Sequence, residues 1–261
     1  IDAIKEIMVE KKFGDAGNKI LLEEKLVGEE ASFLVLSDGK TVKPLVSTQD
    51  HKPVYNGGKG PNTGGMGAYG PAPIVTKEIH DFVMNRVAIP TVKAMEKEGT
   101  PYKGVLYCGI MITESGPKVL EFNCRFGDPE CQPIMMLLKT DLVSLLNSCI
   151  EGTLESINLK FGKQSSCCVM IASGGYPIVY EKGKLITGLE KVSSMENVKV
   201  FHSGTKKKNG KVYTDGGRVL GVTSKADTIK KAIDIAYDGV ALIDFDKMYY
   251  RTDIGNKALK K

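Results

Sequence analysis

Residues 103–126, KGVLYCGIMITESGPKVLEFNCRF, hold two apolar-rich stretches of strand length on either side of Glu114, Ser115 and Gly116, which predicts a β-hairpin. EASFLVLSDGKTVKPLVS (30–47) predicts another, because Asp38-Gly39 supplies the backbone freedom of a tight turn. Between them helical spacing runs from Thr76, a cap, to Met95. Helical spacing of Ile4, Ile7 and Met8 also marks residues 2–12, and the glycine-broken loop FGDAGNK leads to KILLEE, an apolar run of strand length. Residues 50–73 read as a long irregular loop rich in glycine and proline, of the kind that is more often functional than idle. Asp128 and Pro129 are expected to open a helical stretch, with a restart at Thr140 and Asp141, that ends at Glu151 and Gly152. After residue 164, SSCCVMIAS, KVFHSGTK, KVYTDG and RVLGVTS read as short strands, and TIKKAIDIAYDGV puts Ile229, Ala232, Ile233 and Ala236 on one helical face. A domain boundary is expected near residues 152–164.

Composition narrows the class. With 42% hydrophobic and 26% charged residues among 261, the chain is that of an ordinary globular protein able to bury a core. Its apolar runs fall short of the roughly 18 residues a membrane span needs. The six cysteines show no metal-ligand spacing and lie mostly in apolar stretches, so they read as reduced core thiols in a cytoplasmic protein. Net charge is +5, but the lysines are scattered, which points to a solvated surface that suits anionic small molecules and away from nucleic acid. The chain starts at Ile1 without methionine and reads as the middle of something longer.

Three stretches carry candidate chemistry. In VLEFNCRF, strand alternation puts Glu121, Asn123 and Arg125 on one face and Phe122, Cys124 and Phe126 on the other, the latter expected in the core. A carboxylate and an amide oxygen are hard ligands that suit Mg²⁺, and the Arg125 fork suits a phosphate or an oxyanion. A one-sided sheet with a solvated polar face explains the same alternation equally well. In LLEEKLVGEE (21–30), backbone groups and a carboxylate could meet a purine edge and a ribose hydroxyl, although exposed Glu-rich turns are commonplace. In GPNTGGMGAYGP (60–71), closely spaced glycines let backbone N–H groups approach an anion, with Asp50, His51 and Lys52 just before them.

These residues resemble a known family: LLEEKLVGEEASF, QDHK, GPNTGGMGAYGPAP, LEFNCRFGDPE and YYRTDIG together look like phosphoribosylamine-glycine ligases, also called glycinamide ribonucleotide synthetases. The resemblance runs over the whole chain and covers the carboxy-terminal part of the family's length. It implies an α+β ATP-grasp fold, with 1–25 a remnant of the lid subdomain, 26–152 the ATP-grasp core and 164–261 a small α/β domain. It implies ATP-dependent joining of glycine to 5-phosphoribosylamine, with Mg²⁺ or Mn²⁺ at Glu121 and Asn123. Glu23, Glu24, Leu26 and Glu30 would hold the nucleotide. Asp50, His51, Asn62, Thr63, Gly64 and Gly65 would line the substrate side, and Lys52, Arg125 and Asp128 would act in catalysis. An amino-terminal domain would be covalently attached, with no nucleic-acid or membrane partner. Three departures stand out: Gly109 where a further acidic metal ligand is common in this fold, Pro53, Asn56 and Gly58 after the DHK triplet, and the absence of the lid lysines that would touch the phosphates. The alternatives are an ATP-grasp carboxylate-amine ligase with another acceptor, or a nucleotide-binding piece without turnover.

Overall fold

The computed structural model describes residues 2–260. Helix α1 (Asp2–Ile4) continues as a π turn (Lys5–Val9). Strands β1 (Glu29–Asp38) and β2 (Val42–Pro44) form the first hairpin, and the short strands β3 (Gln49–Asp50), β4 (Pro53–Tyr55), β5 (Lys59–Asn62) and β6 (Gly67–Gly70) follow. Helix α2 (Lys77–Val83) passes through a π segment (Met84–Ala88) into α3 (Ile89–Lys97), and strands β7 (Lys103–Thr113) and β8 (Gly116–Asn123) form the second hairpin. Helices α4 (Cys131–Leu137) and α5 (Leu142–Glu151) lead to β9 (Ser165–Ser173), α6 (Leu189–Ser193), β10 (Val198–His202), β11 (Thr205–Lys208), β12 (Lys211–Thr214), β13 (Arg218–Ala226), α7 (Ile229–Ala241) and β14 (Met248–Tyr249).

Strand β1 lies inside an antiparallel sheet ordered β2-β1-β7-β8 and is covered on both faces. Phe33 and Val35, with Leu106, Cys108 and Ile110, meet Val83, Val87 and Val92 of the α2–α3 helix. Leu34 and Leu36, with Val105 and Tyr107, meet Ile134, Leu145 and Leu154. Burial from both sides is why ASFLVL shows little alternation of apolar and polar positions. The Asp38 carboxylate closes the turn by accepting the Lys40 and Thr41 amides at 3.0 and 2.7 Å, and its other oxygen accepts the Leu154 amide at 3.1 Å.

A second antiparallel sheet has the order β10-β13-β9-β6-β3, with β14 also on β9. Helix α7 covers one face, where Ala232, Ile233, Ala236 and Val240 join Val169, Ile171 and Val222 in the core. Helix α4 rests against β9 and β13 and sends Ile134 into the core of the first sheet, so it is wedged between the two. The second sheet crosses the boundary expected at residues 152–164: β6 pairs with β9 from Gly67↔Val169 to Gly70↔Ser166.

Several elements differ from expectation. KILLEE forms no strand; Leu21 and Leu22 are exposed, and no ladder partner lies beside the segment among the described residues. The stretch 50–73 is ordered by the β4–β5 hairpin and by β6, whose glycines let the backbone approach β9 closely: a Cβ at Gly67 would lie 2.6 Å from the Cys168 carbonyl oxygen. Asp128 is no helix cap. The helix begins at Cys131, because the Asp128 carboxylate is taken by the Arg218 guanidinium and by Gln132 Nε2. Phe122 on β8, an edge strand only partly covered by α2, and Cys124 just after it are exposed, while Phe126 packs against the core of the first sheet. The six cysteines are all unpaired, as expected.

Candidate active site

Most of the residues singled out from the sequence gather in three hollows beside the first sheet. The outermost is a groove of about 800 Å³ between Glu24–Glu29 and Ile74, Ile112–Ser115 and Lys118. Gly28 presses its backbone against β7; a Cβ there would lie 2.2 Å from the Ile112 carbonyl oxygen. Lys118 Nζ holds the Glu24 carboxylate at 3.0 Å. Leu26, Ile74 and Ile112 give the groove apolar walls, and the backbone of 24–27, outside any ladder, gives it donors and acceptors. Such a groove suits a flat heteroaromatic ring. Glu23 is exposed and lines none of the three hollows.

Further in, a cleft of about 230 Å³ is lined by Gly28, Glu30, Asp50, His51, Lys52, Asn62, Met111, Arg251 and Lys257 among others. Lys52 Nζ meets Glu30 Oε2 at 2.8 Å. Burial works against the Lys52 ammonium, yet Glu30, Glu121 and Asp50 together hold its pKa above the ordinary value. Buried His51 is fixed at both ring nitrogens: Nδ1 donates to the Gly67 carbonyl (3.1 Å) and Nε2 accepts the Gly255 amide (3.4 Å). Burial, then the nearby charges of Arg251 and Lys257, bring its pKa down to about 3, so the ring is neutral.

The third hollow, about 150 Å³, shares Asp50 and Lys52 with the second. One wall is the end of β8 and the turn after it: Glu121, Asn123, Arg125, Gly127, Asp128 and Glu130. The other is Thr63 and Gly64 of the glycine loop. Gly65 stands behind, where a Cβ would lie 2.6 Å from Asp50 Oδ1. Arg125 donates to the Phe126 carbonyl at 2.9 Å. Asp50 has its pKa raised well above the carboxylate range, by burial first and by the Glu130 charge second, against the opposing His51 amide, Lys52 and Arg218.

Glu121 and Asn123 touch, with Asn123 Nδ2 donating to Glu121 Oε1 at 3.1 Å. The ladder partner of Glu121 is Gly109, whose missing side chain leaves room over the carboxylate stem, since a Cβ would lie 3.1 Å from Glu121 Cγ. The donor set, one carboxylate and one amide oxygen beside an open cleft, fits a hard divalent cation that keeps several waters and phosphate oxygens. Among the described residues no group of three or more His, Cys, Asp or Glu is arranged to hold a metal, so any such site is lean.

Sequence reasoning missed Glu130 and Arg218. Glu130 is buried and accepts from the Ser32 and Tyr107 hydroxyls at 2.9 and 3.0 Å, which ties the β8 turn to β1 and β7. Arg218 spans the two walls of the third hollow, donating to the Gly64 carbonyl at 2.8 Å and to Asp128 Oδ2 at 2.8 Å. The acidic run GDPE hinted at Glu130; nothing near Arg218 in the sequence marks it.

Grooves of this kind beside the first sheet fit the ATP-grasp class, which the family match over residues 1–131 assigns. The biotin carboxylase domain of Hydrogenobacter thermophilus 2-oxoglutarate carboxylase shares the fold, with a TM-score of 0.69 at 15% identity over 95% of this chain and 52% of that one. The description "Phosphoribosylglycinamide synthetase, ATP-grasp (A) domain" matches residues 1–131, and "Phosphoribosylglycinamide synthetase, C domain" matches residues 166–257. The chain belongs to the phosphoribosylglycinamide synthetase family. It is 50% identical over 260 residues to a phosphoribosylamine-glycine ligase of Rhodopirellula baltica, covering 99% of this chain and 60% of that protein. Against the Vibrio parahaemolyticus ligase it is 48% identical, covering all of this chain and 61% of that protein. The Thermotoga maritima phosphoribosylamine-glycine ligase structure superposes with a TM-score of 0.76 at 34% identity, over 89% of this chain and 57% of that one. The chain thus spans about three fifths of the length of the curated relatives it matches.

Proposed function

We propose that this chain carries the nucleotide, metal and substrate faces of an enzyme that joins glycine to 5-phosphoribosylamine at the expense of ATP, giving glycinamide ribonucleotide, ADP and phosphate in the cytoplasm. The observation that carries the reading is the meeting of Glu121, Asn123, Arg125 and Lys52 around one small cleft beside a groove shaped for a heteroaromatic ring. The names of the relatives supply the substrates.

In this reading the backbone of Glu24 and Leu26 holds the adenine edge, and Glu30 a ribose hydroxyl. A glycine carboxylate oxygen attacks the γ-phosphorus, ADP leaves, and glycyl phosphate forms; the amine of phosphoribosylamine then attacks the acyl carbon, expels phosphate and gives up a proton. Lys52 and Arg125 neutralise charge that builds on the transferring phosphoryl group. Thr63 and Gly64, backed by Gly65, form the substrate wall opposite Glu121, Asn62 lines the neighbouring cleft, Asp128 supports the turn beside Arg125, and Asp50 faces the amino groups. His51, neutral and spent on the backbone, keeps the Asp50–Lys52 segment in place. Glu121 and Asn123 would hold Mg²⁺ or Mn²⁺, which supplies Lewis-acid stabilisation of the phosphate oxygens when bound. The rest of the protein's length, as a covalently attached amino-terminal part, would complete the cover over both substrates.

The test is Glu121→Ala in the full-length protein. It is expected to remove magnesium-dependent ADP release and lower Mn²⁺ affinity in a direct binding titration, with the circular dichroism spectrum unchanged, because the side chain faces the cleft and not the core. Asn123→Ala is expected to act in the same direction but more mildly, as a neutral ligand. Wild-type turnover by Glu121→Ala at ordinary magnesium would sink the metal assignment. Efficient ligation of a different amine in place of phosphoribosylamine would instead point to another ATP-grasp ligase.

A further inference from the structure

We infer that Arg218 is a positioning residue that sets the width of the third hollow and thereby its preference for the smallest amino acid. The inference rests on the ligase reading above. Arg218 opens β13 of the second sheet, far in sequence from the residues it holds. Strand β13 slips register against β9 between Arg218 and Leu220, and an irregularity of that kind re-aims a side chain out of the regular ladder. Its guanidinium then reaches both walls of the hollow. Nη1 donates to the carbonyls of Gly64 (2.8 Å) and Gly65 (3.3 Å) on one wall and to the Asp128 carbonyl on the other, and Nη2 donates to Asp128 Oδ2 (2.8 Å).

The contact leaves no slack. A Cβ on Gly64 would lie 2.9 Å from the Arg218 Cζ, so the planar group lies directly on the loop. A Cβ on Gly65 would lie 2.3 Å from Pro129 Cδ, so loop and turn already meet there. Tyr176, also of the C-terminal region, accepts the Gly64 amide at 3.2 Å and rests on Gly217. Both backbone polar groups of Gly64 are therefore held by residues more than a hundred positions further along the chain.

Without the guanidinium, three carbonyl oxygens and a carboxylate would face one another with no donor between them, and the walls would separate. Lysine offers a single compact charge and cannot hold both walls with a planar fork. Since Thr63 and Gly64 form one wall and Arg125, Asp128 and Glu130 the other, separation widens the hollow beside Glu121, Asn123 and Arg125, where the ligase reading puts phosphoryl transfer to the amino acid's carboxylate, and leaves the nucleotide groove as it is.

The experiment uses Arg218→Ala and Arg218→Lys in the full-length protein, with glycine and alanine as competing substrates. Arg218→Ala should lower kcat/KM for glycine by about 100-fold, and the preference for glycine over alanine should shrink by at least about tenfold, while KM for ATP stays within about twofold. Arg218→Lys should fall between wild type and Arg218→Ala, and added guanidinium should restore part of the Arg218→Ala loss. An equal loss for both amino acids with the preference intact, or a parallel rise in KM for ATP, would overturn the size-setting role and leave Arg218 as general scaffolding. Amide hydrogen exchange provides a readout that needs no turnover: exchange in 64–66 and 127–131 should quicken in Arg218→Ala, by about tenfold, and stay unchanged elsewhere. Unchanged exchange there would overturn the clamp itself. Faster exchange together with a wild-type protein that ligates no glycine would overturn the ligase reading, and the size selection with it, but not the clamp.

Discussion

His51 is 3% exposed, and its ring donates to the Gly67 carbonyl and accepts from the Gly255 amide. Its pKa is about 3 in the fold against an ordinary value of 6.5, so the unfolded chain takes up the proton first as pH falls. Stability from this ring is complete above pH 6.5 and is lost as pH drops toward 3, about 2 kcal/mol of it by pH 5. Urea melts at pH 7 and pH 5 should show that loss, and His51→Gln should flatten the difference while lowering stability at pH 7. An unchanged slope in the variant would show that other groups carry the acid sensitivity. At this scale the sequence was only partly informative. Glu121 and Asn123 could be picked out because alternation and residue type are local properties. The burial of His51 and the grip of Arg218 come from partners 204 and 154 residues away, which no local pattern encodes.

Elements were the most legible level. Both hairpins, the Thr76-capped helix, the Asp141-capped helix α5 and the C-terminal strands and helix stand where turn residues and periodicity put them. The failures have a common physical origin. KILLEE has the composition of a strand but lacks a neighbour, and a strand exists only in a ladder. The glycine loop lacks strand composition but finds β9 beside it, and backbone pairing needs no side chains. Within that loop Gly65 has φ +114°, a conformation that favours glycine, and it abuts Pro129 and Asp50. Gly65→Ala should cost about 1–3 kcal/mol in a thermal melt and lower ligase turnover by at least about tenfold, because Pro129 and Asp50 must both shift. A variant with wild-type melting and turnover would show that the loop accommodates a methyl group without moving the cleft.

At the scale of the whole molecule, composition pointed to a globular chain able to bury a core, and the motif resemblance to its family, but the pairing of strands across the chain was hidden. Strand β6 lies nearly a hundred residues before β9, and their pairing follows from a close backbone approach that glycines allow. Residues 164–261 expressed alone would present the β9 edge, including Cys167 and Val169, without the β6 cover. That piece should therefore melt without a cooperative transition or associate on size-exclusion chromatography, while the full chain melts cooperatively. A monomeric, cooperatively folded piece would show that the second sheet closes without β3 and β6.

The bond from the Gly255 amide to His51 spans 204 residues, and it sets the order in which a growing chain can be finished. On the ribosome the β1–β2 and β7–β8 hairpins are complete long before β9 and β13 emerge. At roughly 5–20 residues per second, the His51 ring waits about 10–40 s for its last partner. Until β9 and then Arg218 emerge within that interval, the glycine loop lacks its sheet and its clamp, so a nascent chain holds the Glu121 wall of the cleft but not the wall opposite. Closure thus arrives late and in steps, and a ribosome that stalls before Arg218 leaves a chain whose cleft has not been closed.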